Sequence, residues 1–220
     1  SGAGGVISTA PFNSISNQLT VSFWSKGEPG IGTRNTSILE GVTPSKQRTL
    51  NIHHPWSNSN IYFDCGNTGG TYDRINKVAT AAELESWNYW TFTKNTTTGV
   101  MNIYLNGTLW HSGTGKTLPI SIDSLHVGMN INSSNIYNGG IDELTIFNEE
   151  LSQATIQAWM NKTIDNTHPN YAGLVAYYHF DEATGNVSND ASVNTQTTQF
   201  SSTPDWRFQR GENLLTRFIE

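Results

Sequence analysis

Residues 87–115 read WNYWTFTKNTTTGVMNIYLNGTLWHSGTG and contain three short strand-forming segments separated by two turns. Within residues 100–105, apolar side chains occupy every second position, the pattern of a β-strand with one buried face. The Asn106-Gly107 pair follows directly. It favours a two-residue hairpin because a type I′ turn requires positive φ at both central residues. The stretch predicts an antiparallel meander, whose buried face carries Met101, Ile103 and Leu105.

The same alternation occurs earlier in the chain, at residues 19–25. Leu19, Val21 and Phe23 are expected to face the interior, with the intervening side chains on the opposite face. The single cysteine, Cys65, lies among strand-forming residues and is expected to be a small buried side chain, because it has no cysteine partner.

One short helix is predicted near residues 152–161. Ser152 is a suitable N-cap, and Leu151 and Ile156 are spaced to form a hydrophobic staple. Ile156, Trp159 and Met160 share one helical face, which is expected to pack on the strands.

Several motifs resemble laminin G-like domains of the concanavalin A-like lectin/glucanase superfamily. They are Trp-x-Tyr-x-x-Phe-Thr at residues 87–93, Met-x-Ile-Tyr-Leu-Asn-Gly at residues 101–107, and Gly-x-Ile-Asp-Glu at residues 139–143. The resemblance implies an all-β, two-sheet antiparallel jelly-roll sandwich of the type found in secreted multidomain bacterial proteins.

Residues 1–206 are predicted to form one such domain, with residues 171–206 as an added strand and tail. The strand-forming segment 174–180 is expected to pair with the sandwich, because it would otherwise expose an aggregation-prone edge. Residues 207–220 are expected to form either a C-terminal edge strand or the start of a following module.

Composition narrows the possible partners. The 220-residue chain has a formal charge of −6, so nucleic acid is not an expected partner. No apolar run approaches the ~18 residues of a membrane helix, so membrane insertion is not expected. The abundance of Asn, Thr and Ser is common in extracellular β proteins, and the resemblance also implies a secreted or cell-surface location. The domain is expected to be monomeric.

Catalysis is not expected of this domain. Glycosidases of this fold require two carboxylates roughly 5–10 Å apart, and the glucanase motif Glu-x-Asp-x-Glu does not occur. An enzyme hypothesis would revive if Glu83 and Glu85 faced a deep cleft. The nearest carboxylate pairs in the sequence are Asp142-Glu143, Glu149-Glu150 and Glu83-x-Glu85.

A glycan is the expected ligand, because aromatic residues lie in or beside predicted loops that are rich in Asn and Ser. Trp110 has an alternative role in packing against a neighbouring strand, and Trp56 has one in covering the core beside His53-His54-Pro55. Adjacent histidines on a strand point to opposite faces, so His53 and His54 are a poor chelating pair. The candidate glycan-binding residues are Trp56, Tyr72, Asp73, Arg74, Trp110, Asn135 and Tyr137.

Calcium is the one cofactor that the resemblance suggests. It implies a structural ion at Asp142, assisted by N-terminal carbonyl groups, whereas an Asp that bonds to turn amides is the alternative. The leading functional hypothesis is a non-catalytic glycan-binding or adhesion module in a longer chain. The alternatives are a structural spacer beside a catalytic domain and a glycoside hydrolase or lyase.

Overall fold

The computed structural model describes residues 4–8 and 11–204; the predictions for residues 207–220 lie outside this part of the chain. The described strands are β1 (Gly5–Ser8), β2 (Gln18–Gly27), β3 (Leu39–Val42), β4 (Arg48–His53), β5 (Asn60–Thr68), β6 (Thr71–Val78), β7 (Asn88–Asn95), β8 (Val100–Leu105), β9 (Thr108–Gly113), β10 (Ser124–Val127), β11 (Gly139–Phe147), β12 (Leu174–Tyr178), β13 (Val187–Ser188) and β14 (Thr198–Phe200). The described α-helices are α1 (Ala81–Glu85) and α2 (Gln153–Trp159).

The strands form two antiparallel sheets. One has eight strands in the order β13-β14-β1-β10-β3-β4-β5-β6, and the other has six in the order β12-β11-β2-β7-β8-β9. The predicted all-β, two-sheet jelly-roll sandwich is confirmed. Among the described residues, no helix is long and apolar enough to span a bilayer.

The predicted meander lies at one side of the six-stranded sheet, where β7 pairs with β8 and β8 with β9. Asn106 and Gly107 have φ of 49° and 73°, so the hairpin turn has the expected positive φ at both central residues. Met101 and Ile103 are fully buried, and Leu105 packs against the same core. The period-two pattern therefore identified the buried face correctly.

The main core lies between the two sheets. The six-stranded sheet contributes Leu19, Val21 and Phe23, and the eight-stranded sheet contributes Ile61 and Phe63. Cys65 is buried in the same core, and this burial raises the pKa of its thiol to about 12. Its protonated thiol is a packing group rather than a nucleophile.

Helix α2 covers the outer face of the six-stranded sheet. Ile156 and Leu151 pack there with Trp24 and Tyr89 in a second apolar cluster. The Ser152 hydroxyl accepts the Thr155 N–H, as its predicted N-cap role requires. This sheet face is therefore covered by the helix.

The tail connects the two sheets. Strand β12 pairs with β11 at the edge of the six-stranded sheet, as the prediction for residues 174–180 requires. Strands β13 and β14 then pair with each other, and β14 pairs with β1 in the opposite sheet. Where a domain ends relative to residue 206 stays a prediction.

Candidate functional site

A row of polar side chains crosses the outer face of the eight-stranded sheet. Cross-strand partners run from His126 to Glu40, from Glu40 to Asn51, from Asn51 to Asp64, and from Asp64 to Arg74. Alternation explains the row, because the residues on either side of these positions in β4 and β5 belong to the core. We call these five residues the polar row.

Asp64 is the charged centre of the polar row. Its side chain is fully buried, and Arg74 holds both carboxylate oxygens through Nε at 2.5 Å and Nη2 at 2.7 Å. Arg48 adds a third contact, with Nη2 3.3 Å from Oδ2. Hydrogen bonding to Asp64 raises the pKa of Arg74. Burying a carboxylate is costly unless it is paired and hydrogen-bonded, and these two guanidinium groups meet that requirement.

A hydrogen-bonded network continues from Asn51. Its Nδ2 donates to Glu40 Oε2 at 3.1 Å and to His53 Nε2 at 3.2 Å. His53 Nδ1 is 2.8 Å from the Thr36 carbonyl, so the hydrogen-bond pattern assigns the proton to Nδ1. Glu40 Oε1 accepts the Ile131 N–H at 2.9 Å. Burial lowers the pKa of His53 and raises that of Glu40. These hydrogen bonds hold the side chains of Asn51, Glu40 and His53 in one arrangement.

Aromatic rings flank the polar row on one side. The half-buried Trp56 lies with its ring centroid 4.4 Å from that of His53, and Tyr62 meets the same imidazole edge-on at 6.1 Å. The Arg74 guanidinium lies 4.9 Å over the Tyr62 ring. Trp56 and Tyr62 are both partly exposed. They present flat apolar surface beside hydrogen-bonding groups, which is what a sugar ring requires.

Tyr72 flanks the row beside Arg48. The Arg48 guanidinium carbon lies 4.5 Å over the Tyr72 ring, and both side chains are partly exposed. Within the described part of the chain, three buried polar atoms of this face have no hydrogen-bond partner: Arg48 Nε, Asn51 Oδ1 and His126 Nδ1. Buried polar atoms are normally satisfied, so these three atoms are exceptions within this face.

Three of the seven predicted glycan-binding residues lie at this face, and the backbone of a fourth adjoins it. Trp56, Tyr72 and Arg74 border the polar row as described above. Asn135 approaches it through its carbonyl group, which accepts the Ser37 N–H at 2.6 Å. The Ser37 hydroxyl is in turn 3.3 Å from His53 Nδ1. Whether any of the four binds a glycan stays a prediction.

Asp73 is placed differently from its expected role. It is 7% exposed, and its carboxylate points inward to Lys94, whose Nζ lies 2.8 Å away and whose side chain is fully buried. The same carboxylate oxygen accepts the Leu118 N–H at 2.7 Å. A surface ligand does not reach this carboxylate, so the expectation that Asp73 bonds sugar hydroxyls is corrected: strand alternation places it on the face opposite to Arg74.

Tyr137 is also internal. It is 4% exposed, and its ring lies 6.0 Å from the buried His54 ring. Burial raises its pKa. The expectation that Tyr137 contacts a glycan at the rim is corrected, because the loop that carries it folds the ring over the core.

Trp110 lies at a different edge of the sandwich, on β9. Its ring meets Trp90 edge-on at 5.2 Å, and Lys77 Nζ lies 4.5 Å over the ring. Its Nε1 donates to Glu83 Oε1 at 2.8 Å. This is the alternative packing role, and Trp110 is not part of the polar face.

The candidate catalytic carboxylates have local partners. Glu83 completes a capping box with Thr80 at the start of α1, and Glu85 accepts the Gly30 N–H at 2.8 Å. Glu150 accepts from Asn95 at 2.9 Å. Glu83 therefore caps the helix α1, and Glu85 holds the backbone at Gly30.

The groups around Asp142 bear on the expected calcium site. Its Oδ1 accepts the Glu143 N–H at 3.1 Å, as in the alternative role. It lies on β11, whereas the N-terminal strand β1 belongs to the other sheet. Within residues 4–8 and 11–204, no group of three His, Cys, Asp or Glu side chains is arranged to hold a metal. These surroundings do not fit a carboxylate-built calcium site, and calcium at Asp142 stays a prediction.

Sequence reasoning did not select most of the residues that build this face. Glu40, Arg48, Asn51, Tyr62 and Asp64 were not among the candidate glycan-binding residues. One signal was available: in β5, Tyr62 and Asp64 alternate with residues of the core. Alternation assigns a side chain to a face, but the pairing of distant strands decides which polar residues become neighbours.

These features define a lectin-like jelly roll with one sheet face closed by a helix and the other carrying polar and aromatic groups. The chain belongs to the concanavalin A-like lectin/glucanases superfamily, whose laminin G-type family model matches residues 1–157. No curated protein sequence matches the chain.

Solved structures share the fold at low sequence identity. One is a protein from Bacteroides ovatus that is provisionally described as carbohydrate binding, with a TM-score of 0.65 and 16% identity. The alignment covers 91% of this chain and 58% of the Bacteroides protein. The ligand-binding domain of botulinum neurotoxin serotype D, in complex with N-acetylneuraminic acid, has a TM-score of 0.54 and 20% identity, with coverages of 70% and 38%. A pentraxin from Limulus polyphemus has a TM-score of 0.55 and 16% identity, with coverages of 71% and 74%. The chain spans 58% and 38% of the first two proteins.

Proposed function

We propose that this domain is a non-catalytic carbohydrate-binding module, and that it binds a glycan on the outer face of the eight-stranded sheet. One observation carries the proposal: partly exposed Trp56 and Tyr62 lie beside a polar row whose members are held by buried hydrogen bonds. A sugar ring can stack on the aromatic surface while its hydroxyl groups reach the guanidinium groups of Arg48 and Arg74.

The energetic cost of the polar row supports a binding role. A sheet face that served only as a surface could carry Ser and Thr, whereas this one buries Asp64 completely and Glu40 to 5% exposure. Pre-organised polar groups lose little conformational freedom when a ligand binds, and this raises affinity. The similar proteins described above as binding carbohydrate or N-acetylneuraminic acid add support from the fold.

The experiment is a glycan array with the purified domain, followed by calorimetry on the best ligand. Trp56→Ala should reduce affinity about tenfold or more, since a well-placed aromatic contact is worth roughly 1–2 kcal/mol. Trp159→Ala is the matched control, because Trp159 is a half-buried tryptophan on α2, at the opposite sheet. Thermal melting confirms that each variant folds.

The outcomes separate the candidate functions. Loss of binding in Trp56→Ala with retention in Trp159→Ala supports the proposal. A blank array contradicts it and favours a spacer domain, and a glycan whose affinity neither substitution changes contradicts binding at this face. Hydrolysis or elimination of an arrayed glycan would favour a glycosidase or lyase.

The setting of the domain follows from the same proposal. We infer a secreted or cell-surface location and a monomeric domain that works beside other domains of a longer chain. The chain's partial coverage of the similar proteins is compatible with such an arrangement. Light scattering of the purified domain tests the monomer, since a mass near twice 24.3 kDa would contradict it.

A further inference from the structure

We propose that Arg48 is an anion-binding subsite, and that the glycan bound at this face carries an acidic substituent. The inference rests on the proposed function, because it names the class of ligand for the same face. It adds that one negatively charged oxygen-bearing group, a carboxylate or a sulfate, is recognised by a particular side chain.

The first observation is that Arg74 and Arg48 contact the Asp64 carboxylate unequally. Arg74 takes both carboxylate oxygens in a two-pronged contact at 2.5 and 2.7 Å, whereas Arg48 reaches one of them at 3.3 Å. Two cations therefore contact one carboxylate. Arg74 is the partner whose geometry matches Asp64, and Arg48 is left with positive charge that no second carboxylate balances at ion-pair distance in the described residues.

The nearest other acid does not compensate Arg48. Glu40 lies beyond Asn51 on the polar row and is held by the amide of Asn51 and the N–H of Ile131. Burial is the largest influence on its pKa and raises it, whereas the Ile131 N–H and the charge of Arg48 lower it. The negative charge of Glu40 therefore acts on Arg48 only from a distance, because Asn51 on β4 lies between Glu40 and Asp64.

The second observation is an unused donor. Arg48 Nε is buried and has no hydrogen-bond partner among the described residues, although the side chain as a whole is 26% exposed. A guanidinium group offers Nε and one Nη as a fixed pair of donors for a carboxylate or sulfate. Nη2 is the nitrogen paired with Nε and already contacts Asp64 Oδ2, so an incoming oxyanion would approach through the exposed 26% of the side chain and share the guanidinium with Asp64.

The third observation is that Arg48 is held in place. Its guanidinium stacks over Tyr72 at 4.5 Å, and Asn67 Nδ2 donates to its backbone carbonyl at 2.6 Å. Stacking of this kind fixes the plane of the guanidinium, so little freedom is lost when an anion binds. The position is therefore a built site and not a mobile surface charge.

The net charge of the chain limits what the anion can be. With −6 overall, the protein repels a densely charged polymer. A saccharide with one acidic group placed near Arg48, and a neutral ring beside Trp56, fits the face better than a polyanion.

The test uses matched acidic and neutral saccharides. Calorimetry compares 3′-sialyllactose and 3′-sulfolactose with lactose, and trigalacturonate with its carboxyl-reduced form. The wild-type domain should bind at least one acidic member about 10- to 100-fold more tightly than its neutral partner. The carboxylate and sulfate arms show which of the two groups is bound.

Three variants separate charge from structure. Arg48→Gln should abolish the preference for the acidic member, because it lowers the affinity for the acidic member far more than the affinity for the neutral one. Arg48→Lys keeps the charge but loses the paired donors, so it should retain only part of the preference. Lys26→Gln is the control, because Lys26 is an exposed cation on β2 in the other sheet. The resonance of Arg48 Nε–H, followed by NMR in the folded wild type, should shift on titration with the acidic member only.

Each failure has a distinct meaning. Equal binding of acidic and neutral members, or equal loss of both in Arg48→Gln, overturns the anion subsite and leaves the glycan-binding proposal standing. Loss of neutral-sugar binding in Trp56→Ala is independent of Arg48 and tests the proposed function alone. Binding of none of these saccharides and none on the array overturns both.

Discussion

Lys94 provides the sharpest test of the interior of this sandwich. Its side chain is fully buried on β7, and its Nζ lies 2.8 Å from Asp73 Oδ2 and donates to the Cys65 carbonyl. Lys94→Met preserves the approximate length of the side chain and removes the charge. Asp73, at 7% exposure, would then keep its carboxylate in the interior with only the Leu118 N–H to stabilise it.

The expected magnitude follows from that burial. Removing one partner of a buried ion pair costs about 3–5 kcal/mol, because the remaining charge is left uncompensated. For a chain of this size, each kcal/mol shifts Tm by about 2–4 °C, so the substitution should lower Tm by about 6–20 °C. Urea unfolding followed by tryptophan fluorescence measures the free energy of unfolding directly.

A second variant separates the lost charge from the lost packing. Lys94→Met combined with Asp73→Asn removes both charges, and an asparagine oxygen still accepts the Leu118 N–H. This double variant should regain more than half of the lost stability. Lys26→Met, at an exposed position of β2, is the control and should change stability by less than about 0.5 kcal/mol. A loss below about 1 kcal/mol for Lys94→Met would refute the reasoning, since it would mean that water reaches the pair.

Three further predictions concern the turn, the interior histidine and the metal. Gly107→Ala should lower stability by about 1–2 kcal/mol in urea, because φ is +73° and the new Cβ would lie 2.8 Å from Gln157 Cγ; an unchanged midpoint would exclude this turn geometry. Burial lowers the pKa of His54 to about 3, so the unfolded chain takes up the proton first, and stability should fall as pH drops below about 6.5, by at most ~1.4 kcal/mol per pH unit. His54→Phe should reduce that slope in urea titrations from pH 7 to 4, and an identical slope would contradict the burial of the ring. A calcium site at Asp142 predicts that calcium at 100 times its dissociation constant adds about 2.7 kcal/mol, and that Asp142→Asn removes the gain; equal melting in calcium and in EDTA would argue against the site.

Local patterns predicted the antiparallel meander because strand alternation is a property of neighbouring residues, whereas the two-sheet sandwich was implied by the family resemblance. The buried face of β8 and the turn at Asn106-Gly107 follow from six consecutive side chains and one dipeptide. The cap at Ser152 is equally local. Even the inward orientation of Asp73 was accessible from the pattern, because Ile75, two positions further on, shares its face and belongs to the core.

The candidate site was less predictable because its members come from separate strands. Trp56, Tyr72 and Arg74 were found by residue type in loops and strand ends, and the structure places them around one face. Tyr137 and Trp110 satisfy the same criterion, yet one is buried against His54 and the other is covered by Lys77. Residue type describes what a side chain can do at a surface, but it does not show whether the chain leaves that side chain at the surface.

The amino-acid sequence by itself determined the meander, the capped helix and the buried faces of β2 and β8, since each of these depends on residues close in the chain, and its family motifs indicated the class of fold. Only the tertiary structure decided that Glu40, Asn51, Asp64 and Arg74 stand side by side, and that Arg48 shares a carboxylate with Arg74. The physical reason is register: a shift of one residue between two strands exchanges every side chain between core and surface, and register is chosen by the packing of the whole sandwich.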